Sequence, residues 1–178
     1  YFLFIGSLFR RRNIPLMLEA FKKLVQKYKN FKFVIVGNDA DAPPSIFSLI
    51  KLYQLETKVL HFDYIAESDL LAFIQAAFCF VYTSNYEGYG LPLIEALACG
   101  VPSIRSDAET LEEIAGNGAI KVFPLTVENL YETMIQLVEK TELRKKWSEK
   151  GLERSKMFSW TTAAGNVLKT IQDSAEKK

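Results

Sequence analysis

Short apolar runs alternate along the chain with longer segments in which apolar residues recur at helical spacing. The apolar runs lie at residues 1–5, 31–36, 59–62, 78–82, 101–104 and 119–122. Because these runs are continuous rather than alternating in polarity, they are typical of strands in a parallel sheet that is covered on both faces. The pattern predicts five or six such strands.

The segments between the runs predict helices. From Ile14 to Tyr28 apolar residues recur every three or four positions, with Asn13 as the expected N-cap and Pro15 in the first turn. Similar patterns follow Pro44, Ser68, Pro92 and Glu109. The alternation of strand and helix predicts an α/β fold with a doubly wound parallel sheet, Rossmann-like in architecture.

Three more helices are predicted after the last strand, at residues 127–140, 142–157 and 160–174. Trp147 and Trp160 are the large side chains expected to anchor these helices, and no Gly-rich or Ser-rich linker separates them from the sheet. We therefore expect residues 1–178 to form a single domain. Because the chain opens at Tyr1, directly in an apolar run, we also expect it to begin within a longer protein.

Composition and charge exclude several classes of protein. Of the 178 residues, 49% are hydrophobic and 24% are charged, which excludes a disordered or collagen-like chain. The 22 Lys and Arg residues nearly balance the 21 Asp and Glu residues, the net charge is +1, and Arg10–Arg12 is the longest basic run. A chain with so little excess positive charge is not expected to bind nucleic acid.

The apolar runs and the cysteines predict the cellular setting. No apolar run approaches the roughly 20 residues needed to cross a bilayer, and no secretory leader pattern opens the chain. Cys79 and Cys99 lie among apolar neighbours without a CxxC partner. We therefore expect buried, reduced thiols rather than a disulfide or metal site, and a cytoplasmic protein.

Two predicted loops have the composition of a ligand site. In an open parallel sheet, ligands bind beyond the carboxyl ends of the strands. The loop after the first strand, Gly6–Asn13, combines a glycine with three arginines. The loop after the fourth strand, Thr83–Pro92, is polar and contains Gly88 and Gly90. These glycines allow a positive φ and close approach of a ligand, and the N–H groups of the following helix favour an anion.

Glu87 and Glu95 flank this glycine turn. Glu95 falls about one turn into the predicted helix, where a carboxylate can accept hydrogen bonds from a ribose diol. Glu87 then faces whatever lies beyond the phosphates. The alternative is that both are solvated charges that interact favourably with the helix dipole.

The segment Glu87–Pro102 reads Glu-Gly-Tyr-Gly-Leu-Pro-Leu-Ile-Glu-Ala-Leu-Ala-Cys-Gly-Val-Pro. It strongly resembles the signature of retaining glycosyltransferases with the GT-B fold, family 4 in particular. The resemblance extends over the whole chain, from Gly6–Leu8 to Phe158–Trp160. It implies that this chain is the C-terminal, donor-binding half of such an enzyme. The N-terminal acceptor domain would then lie outside this chain, and membrane association of the parent enzyme stays open.

The resemblance implies roles for individual residues. The donor is a nucleotide-diphosphate sugar, no metal or cofactor is needed, and the acceptor is a glycan or a lipid-linked sugar. Glu87 would contact the donor sugar, the backbone of Gly88, Tyr89, Gly90 and Leu91 would approach the sugar and diphosphate, and Glu95 would hold the ribose.

Three positions complete the donor site that the resemblance implies, and the sequence departs from the usual pattern at or near each of them. Arg12 stands where the family usually has a lysine that binds the diphosphate, so Glu87 and Arg12 are the expected catalytic pair. Ser7 stands where many members have arginine, and Arg10 or Arg11 is a candidate to supply that charge. Ile65 lies in the loop whose backbone reads the nucleobase, where Asp63 replaces the usual glycine.

Other residues invite a different interpretation. Asp39 and Asp41 match an Asp-x-Asp metal pattern, but before Pro43 and Pro44 they are more typical of a turn or helix cap. His61 is the single histidine and is expected to be structural or solvent-facing.

Tyr86 and Tyr89 either line the sugar site or pack beside the turn. Two other functions are compatible with these residues. One is a glycosidase with Glu87 and Glu95 as its carboxyl pair, and the other is a non-catalytic nucleotide-binding module.

Overall fold

The computed structural model describes residues 1–39 and 45–176. Within these ranges the chain forms one six-stranded sheet, in which all strand pairs are parallel. The strands are β1 (Phe2–Ile5), β2 (Phe33–Val36), β3 (Val59–Phe62), β4 (Cys79–Tyr82), β5 (Ser103–Arg105) and β6 (Ile120–Lys121). The predicted strands are confirmed. Each strand is either as long as its apolar run or somewhat shorter.

Helices connect the strands and follow them. They are α1 (Ile14–Lys27), α2 (Ile46–Leu52), α3 (Glu67–Gln75), α4 (Leu91–Ala98), α5 (Glu109–Ala115), α6 (Val127–Glu139), α7 (Thr141–Ser155) and α8 (Trp160–Glu176). A one-turn 3₁₀ helix at Arg10–Arg12 precedes α1. The predicted alternation of strand and helix is therefore correct, including the C-terminal helices.

The strand order determines where a ligand can bind. The order is β3-β2-β1-β4-β5-β6, so the chain winds outward in both directions from β1 and β4. This is a doubly wound Rossmann-like sheet, and its order reverses between these two central strands. The loops that follow β1 and β4 therefore lie side by side at the carboxyl edge.

The central strands are the most deeply buried part of the sheet. All residues of β1, β2 and β4 are buried, as expected for strands covered by helices on both faces. The edge strand β3 differs, because Leu60 is 49% exposed and Phe62 is 37% exposed. The loops that follow β1 and β4 thus start from rigid, close-packed positions.

The last helix departs from the prediction. Trp147 of α7 packs partly buried against the core, as expected. Trp160 does not anchor α8, because it is 81% exposed and every side chain described from residue 160 to 175 is exposed. The expectation that all three C-terminal helices pack on the same domain was wrong for α8. Periodicity shows that a helix has an apolar face but does not show which surface covers that face.

Two further findings concern membranes and thiols. Among the described residues, no helix combines the length and the apolar character needed to cross a bilayer. Cys79 is buried and Cys99 is half-buried, and both are free thiols. Burial raises the pKa of the Cys79 thiol well above its ordinary value.

Candidate functional site

The loops after β1 and β4 are joined by hydrogen bonds. The N–H of Asn85 donates to the carbonyl of Arg11 at 2.8 Å. The Asn13 amide donates across the gap to the carbonyl of Thr83 at 2.7 Å and to Asn85 Oδ1 at 2.6 Å. Asn13 does occupy the N-cap position of α1, but its side chain makes no cap hydrogen bond, contrary to expectation.

Glycines allow the loops after β1 and β2 to meet at this edge. Gly37 has φ +148°, and a Cβ there would lie 2.0 Å from the carbonyl oxygen of Gly6. Gly6 itself has φ +144°, and a Cβ there would lie 3.4 Å from the guanidinium carbon of Arg12. The Arg12 guanidinium therefore packs directly on the backbone of Gly6.

Arg12 and Glu87 form a buried ion pair between the two loops. Arg12 is 8% exposed and Glu87 is 5% exposed, and Arg12 Nη1 contacts Glu87 Oε1. Arg12 Nη1 also donates to the Tyr82 hydroxyl, and its guanidinium lies 4.9 Å from the centre of the Tyr82 ring. Ser84 Oγ is 3.4 Å from the same nitrogen. The structure thus brings together the two residues expected to be catalytic.

One polar atom of this pair is left without a hydrogen bond. Within the part of the chain that the structure describes, buried Arg12 Nε has no hydrogen-bond partner, whereas Glu87 Oε1 is contacted by Arg12 Nη1. A buried polar group without a partner costs about 1–3 kcal/mol, and more when the group is charged. Such groups are often satisfied by a bound ligand or water.

Tyr82 was not predicted as a site residue. Burial raises the pKa of its hydroxyl to about 12, with the Arg12 charge acting in the opposite direction. The hydroxyl is therefore neutral at physiological pH and keeps its proton as a hydrogen-bond donor. The sequence placed Tyr82 in a strand, but only the position of Arg12 shows that its hydroxyl meets the ion pair.

The glycine turn is open toward solvent. Gly90 has φ +89° and forms the N-cap of α4, and a Cβ there would lie 3.2 Å from Leu111. Gly88 lies outside the left-handed region, so of the two glycines only Gly90 uses the positive φ that glycine allows. A Cβ on Gly88 would meet nothing within 4 Å. The glycine therefore leaves room beside the backbone.

The turn also presents free N–H groups. Among the described residues, the backbone N–H groups of Gly88, Tyr89, Gly90 and Leu91 donate no hydrogen bond. Pro92 has no N–H, and the N–H of Leu93 is bonded to the Gly90 carbonyl. Free N–H groups at the start of a helix attract an anion.

Thr110 of α5 holds the turn from behind. Its hydroxyl donates to the carbonyl of Glu87 at 3.0 Å. Thr110 was not predicted as a site residue. The sequence shows only a threonine early in the helix after β5, and a threonine at such a position is equally typical of a helix that makes no hydrogen bond to a neighbouring loop.

Glu95 lies in α4, about one turn from its start, as predicted. Its side chain is exposed, and it lines a cavity of about 490 Å³ together with Tyr89, Leu91 and Trp160. Partial burial raises the pKa of the Glu95 carboxyl, and the negative charge of Glu67 adds to the rise. Glu87 and Glu95 therefore have different environments, one ion-paired and one open.

The remaining predicted residues lie at the same edge but are not brought into the ion pair. Ser7 is exposed, and Ile65 is half-buried in the loop between β3 and α3. Tyr86 and Tyr89 are exposed, so they do not pack beside the turn. Arg10 and Arg11 are exposed, and the Arg11 guanidinium lies 4.5 Å from the centre of the Phe9 ring.

The metal interpretation gains no support from the described residues. Asp39 Oδ2 accepts the N–H of Ile46 at 2.8 Å and so caps α2, as the turn interpretation predicts. Asp41 lies outside the described residues. His61 Nε2 contacts the carbonyl of Gly37 at 2.9 Å, which is a structural role. The described ranges contain no group of three or more His, Cys, Asp or Glu arranged to hold a metal ion.

Comparison with known families gives a decisive match. The model of the family described as glycosyl transferases group 1 matches residues 1–154. The chain belongs to the glycosyl transferases group 1 family. This result confirms the resemblance on which the site residues were assigned, while the roles of those residues stay predictions.

Relatives within the family agree. The O-antigen chain mannosyltransferase B of Escherichia coli is 30% identical over 175 residues, which cover 96% of this chain and 46% of that protein. The chain therefore spans about half the length of this relative.

Solved structures show the same GT-B fold. The C-terminal domain of a glycosyl transferase group 1 protein, LpcC from Francisella tularensis, superposes with a TM-score of 0.75 at 22% identity. It is matched over 88% of this chain and 85% of that domain. HepE from Anabaena, solved with UDP and glucose, has a TM-score of 0.84 at 17% identity, over 97% of this chain and 48% of HepE.

Proposed function

We propose that this chain is the donor-binding domain of a retaining glycosyltransferase. It binds a nucleotide-diphosphate sugar at the edge between the loops after β1 and β4. With a second domain of the same protein, it transfers the sugar to a glycan or a lipid-linked acceptor in the cytoplasm. The observation that supports this most directly is the buried Arg12, which contacts Glu87 directly before the free N–H groups of Gly88–Leu91.

The charges at this edge suit a diphosphate. When the bond between the sugar and the β-phosphate breaks, its electron pair stays with the phosphate and negative charge develops there. A guanidinium and fixed N–H groups stabilise such charge without reorganising during the reaction. Arg12 supplies the positive charge in this proposal, so no metal ion is required.

Magnitudes show that the site must include several elements. A helix N-terminus contributes roughly 0.3–2 kcal/mol to the binding of an anion. Micromolar affinity needs about 8 kcal/mol. We therefore assign the diphosphate to Arg12 and the Gly88–Leu91 turn, the sugar to Glu87, the ribose to Glu95 and the base to the loop around Ile65.

The exposed face of α8 supports the presence of a second domain. Its apolar residues recur at helical spacing on one face and are Trp160, Ala163, Ala164, Val167, Leu168 and Ile171. Isolated apolar residues are normal on a surface, but a continuous stripe marks an interaction site. We propose that this stripe packs against the acceptor domain of the full protein.

The test compares two adjacent arginines. Arg12→Met should abolish or strongly weaken binding of a nucleoside diphosphate, since it removes the buried cation. Arg11→Met, a matched change in the same 3₁₀ helix, should bind nearly as well as the unaltered chain, because Arg11 is exposed over Phe9. Equal affinities of Arg12→Met and the unaltered chain, by calorimetry, would contradict the proposal. An equal loss in Arg11→Met would show that Arg11 supplies the second positive charge.

A further inference from the structure

We propose that Asn13 is a positioning residue, which sets Arg12 against Glu87 by holding the loop after β1 to the loop after β4. The inference rests on the proposed donor site, because its purpose is the placement of the diphosphate-binding cation. Three independent features of the structure support it, namely the backbone of Asn13, its side chain and the anchoring of its neighbour Arg11.

The backbone of Asn13 is a junction between two helices. Its φ of 58° and ψ of 36° lie in the left-handed region, which asparagine tolerates better than most other residues. Its N–H donates to the carbonyl of Arg10 at 3.2 Å, and its carbonyl accepts the N–H of Met17 at 3.1 Å. One residue therefore ends the 3₁₀ helix that contains Arg12 and begins α1.

The side chain of Asn13 donates its hydrogen bonds to the loop after β4 and makes none to its own helix. An asparagine at an N-cap usually accepts a backbone N–H of the first helical turn. Here the amide instead donates to the carbonyl of Thr83 and to Asn85 Oδ1, which lie 70 and 72 residues away along the chain. These two contacts fasten the loop after β1 to the end of β4.

Both neighbours of Arg12 along the chain are hydrogen-bonded to the loop after β4. The side chain of Asn13 donates to the carbonyl of Thr83, and the carbonyl of Arg11 accepts the N–H of Asn85. The hydroxyl of Thr83 also lies 3.4 Å from the carbonyl of Arg12 itself. The backbone of Arg12 is thus fixed relative to the loop that continues into Glu87.

This arrangement explains how a long, flexible side chain can act as a fixed cation. Displacing a catalytic group by about 1 Å can cost about a hundredfold in rate. Because Ser7 is uncharged and Arg12 is the buried cation of the proposed site, the position of the Arg12 guanidinium strongly affects how well the diphosphate is bound. Asn13 acts through Arg12 and does not itself contact the donor.

The test removes the amide while keeping the backbone conformation. Asn13→Gly retains the left-handed geometry but loses both donations across the loops. Gln54→Gly is the matched control, since Gln54 also has a positive φ, of 57°, but follows α2 at the opposite edge of the sheet. Each variant is titrated with the nucleoside diphosphate that the chain binds among UDP, GDP, ADP and dTDP, and with the corresponding monophosphate.

We expect Asn13→Gly to raise the Kd of the diphosphate about tenfold or more and to leave that of the monophosphate within about threefold. Gln54→Gly should change neither value. The inference would be overturned if the affinities for the diphosphate and the monophosphate fell equally, or if neither fell. In both cases Asn13 would have no effect specific to the binding of the diphosphate.

A second measurement keeps the inference separate from the proposed function. Hydrogen exchange of the Asn85 N–H reports the contact between the loops without any ligand. It should be faster in Asn13→Gly than in Gln54→Gly, and equal rates would overturn the inference. Failure of the unaltered chain to bind any of the nucleotides would contradict the proposed function, whereas the exchange rates would still decide the role of Asn13.

Discussion

The buried contact between Arg12 and Glu87 connects stability with function at the level of single residues. Both side chains are nine-tenths or more buried, and each is the principal charged partner of the other. Two charges withdrawn from water depend on each other, because removal of one leaves the other uncompensated. Loss of either partner is therefore costly, and the intact pair holds a cation where the proposed diphosphate binds.

The first prediction concerns this pair. Arg12→Met and Glu87→Leu should each lower the free energy of unfolding by about 3–5 kcal/mol, since each leaves a buried charge without its partner. The double variant should recover much of that stability, while still binding no sugar nucleotide. Urea unfolding of the two single variants and the double variant measures the coupling. Purely additive losses would show that the residues do not depend on each other.

The second prediction concerns the pH dependence of binding. The pKa of Glu95 is raised by partial burial and by Glu67, so its carboxylate takes up a proton at a higher pH than an ordinary glutamate does. If the ionised form accepts the ribose hydroxyls, affinity should fall as the pH drops from neutral through that raised pKa.

Glu95→Gln provides the control for that prediction. The ratio of its Kd to that of the unaltered chain cancels the titration of the phosphates, and this ratio should approach one at the acidic end. Because the raised pKa makes the folded chain hold this proton more tightly, ionised Glu95 lowers stability as the pH rises through that pKa. The Glu95→Gln variant should therefore melt no earlier than the unaltered chain at neutral pH. A constant ratio across the pH range would contradict the ribose role.

At the scale of elements, the turn between β4 and α4 is shaped by two glycines with different functions. Gly90 begins α4 with a positive φ against Leu111 of α5, whereas Gly88 borders open space. Thr110 of α5 bonds to the carbonyl of Glu87 and holds the turn from the other side. The structure thus separates a glycine needed for folding from a glycine that leaves room for a ligand.

The third prediction follows from this difference. Gly90→Ala should destabilise the fold by about 1–2 kcal/mol or more, because alanine is strained in the left-handed region and its Cβ crowds Leu111. Gly88→Ala should leave stability within about 0.5 kcal/mol and still weaken binding of the intact sugar nucleotide. Thermal unfolding and calorimetry of both variants separate the two effects. A Gly88→Ala variant with unchanged affinity would show that the donor does not approach that backbone.

The limits of prediction from sequence are also clearest at this scale. The strands and most of the helices were predictable, because continuous apolar runs and helical periodicity directly reflect burial. The side-chain contacts of Asn13, Tyr82 and Thr110 were not, since each depends on which residue lies across the sheet edge. Gly88 and Gly90 look alike in the sequence, and only their backbone angles show that one requires glycine for its conformation.

At the scale of the whole molecule, α8 is the element that the rest of the chain does not explain. Its apolar stripe is exposed along the described length of the helix. The chain matches 46% of the mannosyltransferase from Escherichia coli, so that relative contains a further part of similar size. We propose that a second domain packs on this stripe, which would account for its apolar character.

The fourth prediction tests this stripe with two neighbouring residues. Leu168→Ser should leave the unfolding free energy of the 178-residue chain nearly unchanged, since Leu168 is exposed there. In the full protein the same change should lower the melting temperature, because Leu168 would be buried between the domains. Lys169→Ser, on a different face of the same helix, should affect neither. Equal melting of the Leu168→Ser and Lys169→Ser full proteins would contradict the interface.

The central claim is that this chain binds a nucleotide-diphosphate sugar through Arg12 and the glycine turn. Calorimetric titration of the 178-residue chain against UDP, GDP, ADP, dTDP and their sugar conjugates, without added metal, tests it most directly. We expect saturable binding of the nucleotides of one base, lost in Arg12→Met and weakened in Glu95→Gln. Absence of binding to every member of this panel, or binding that both variants retain in full, would contradict it.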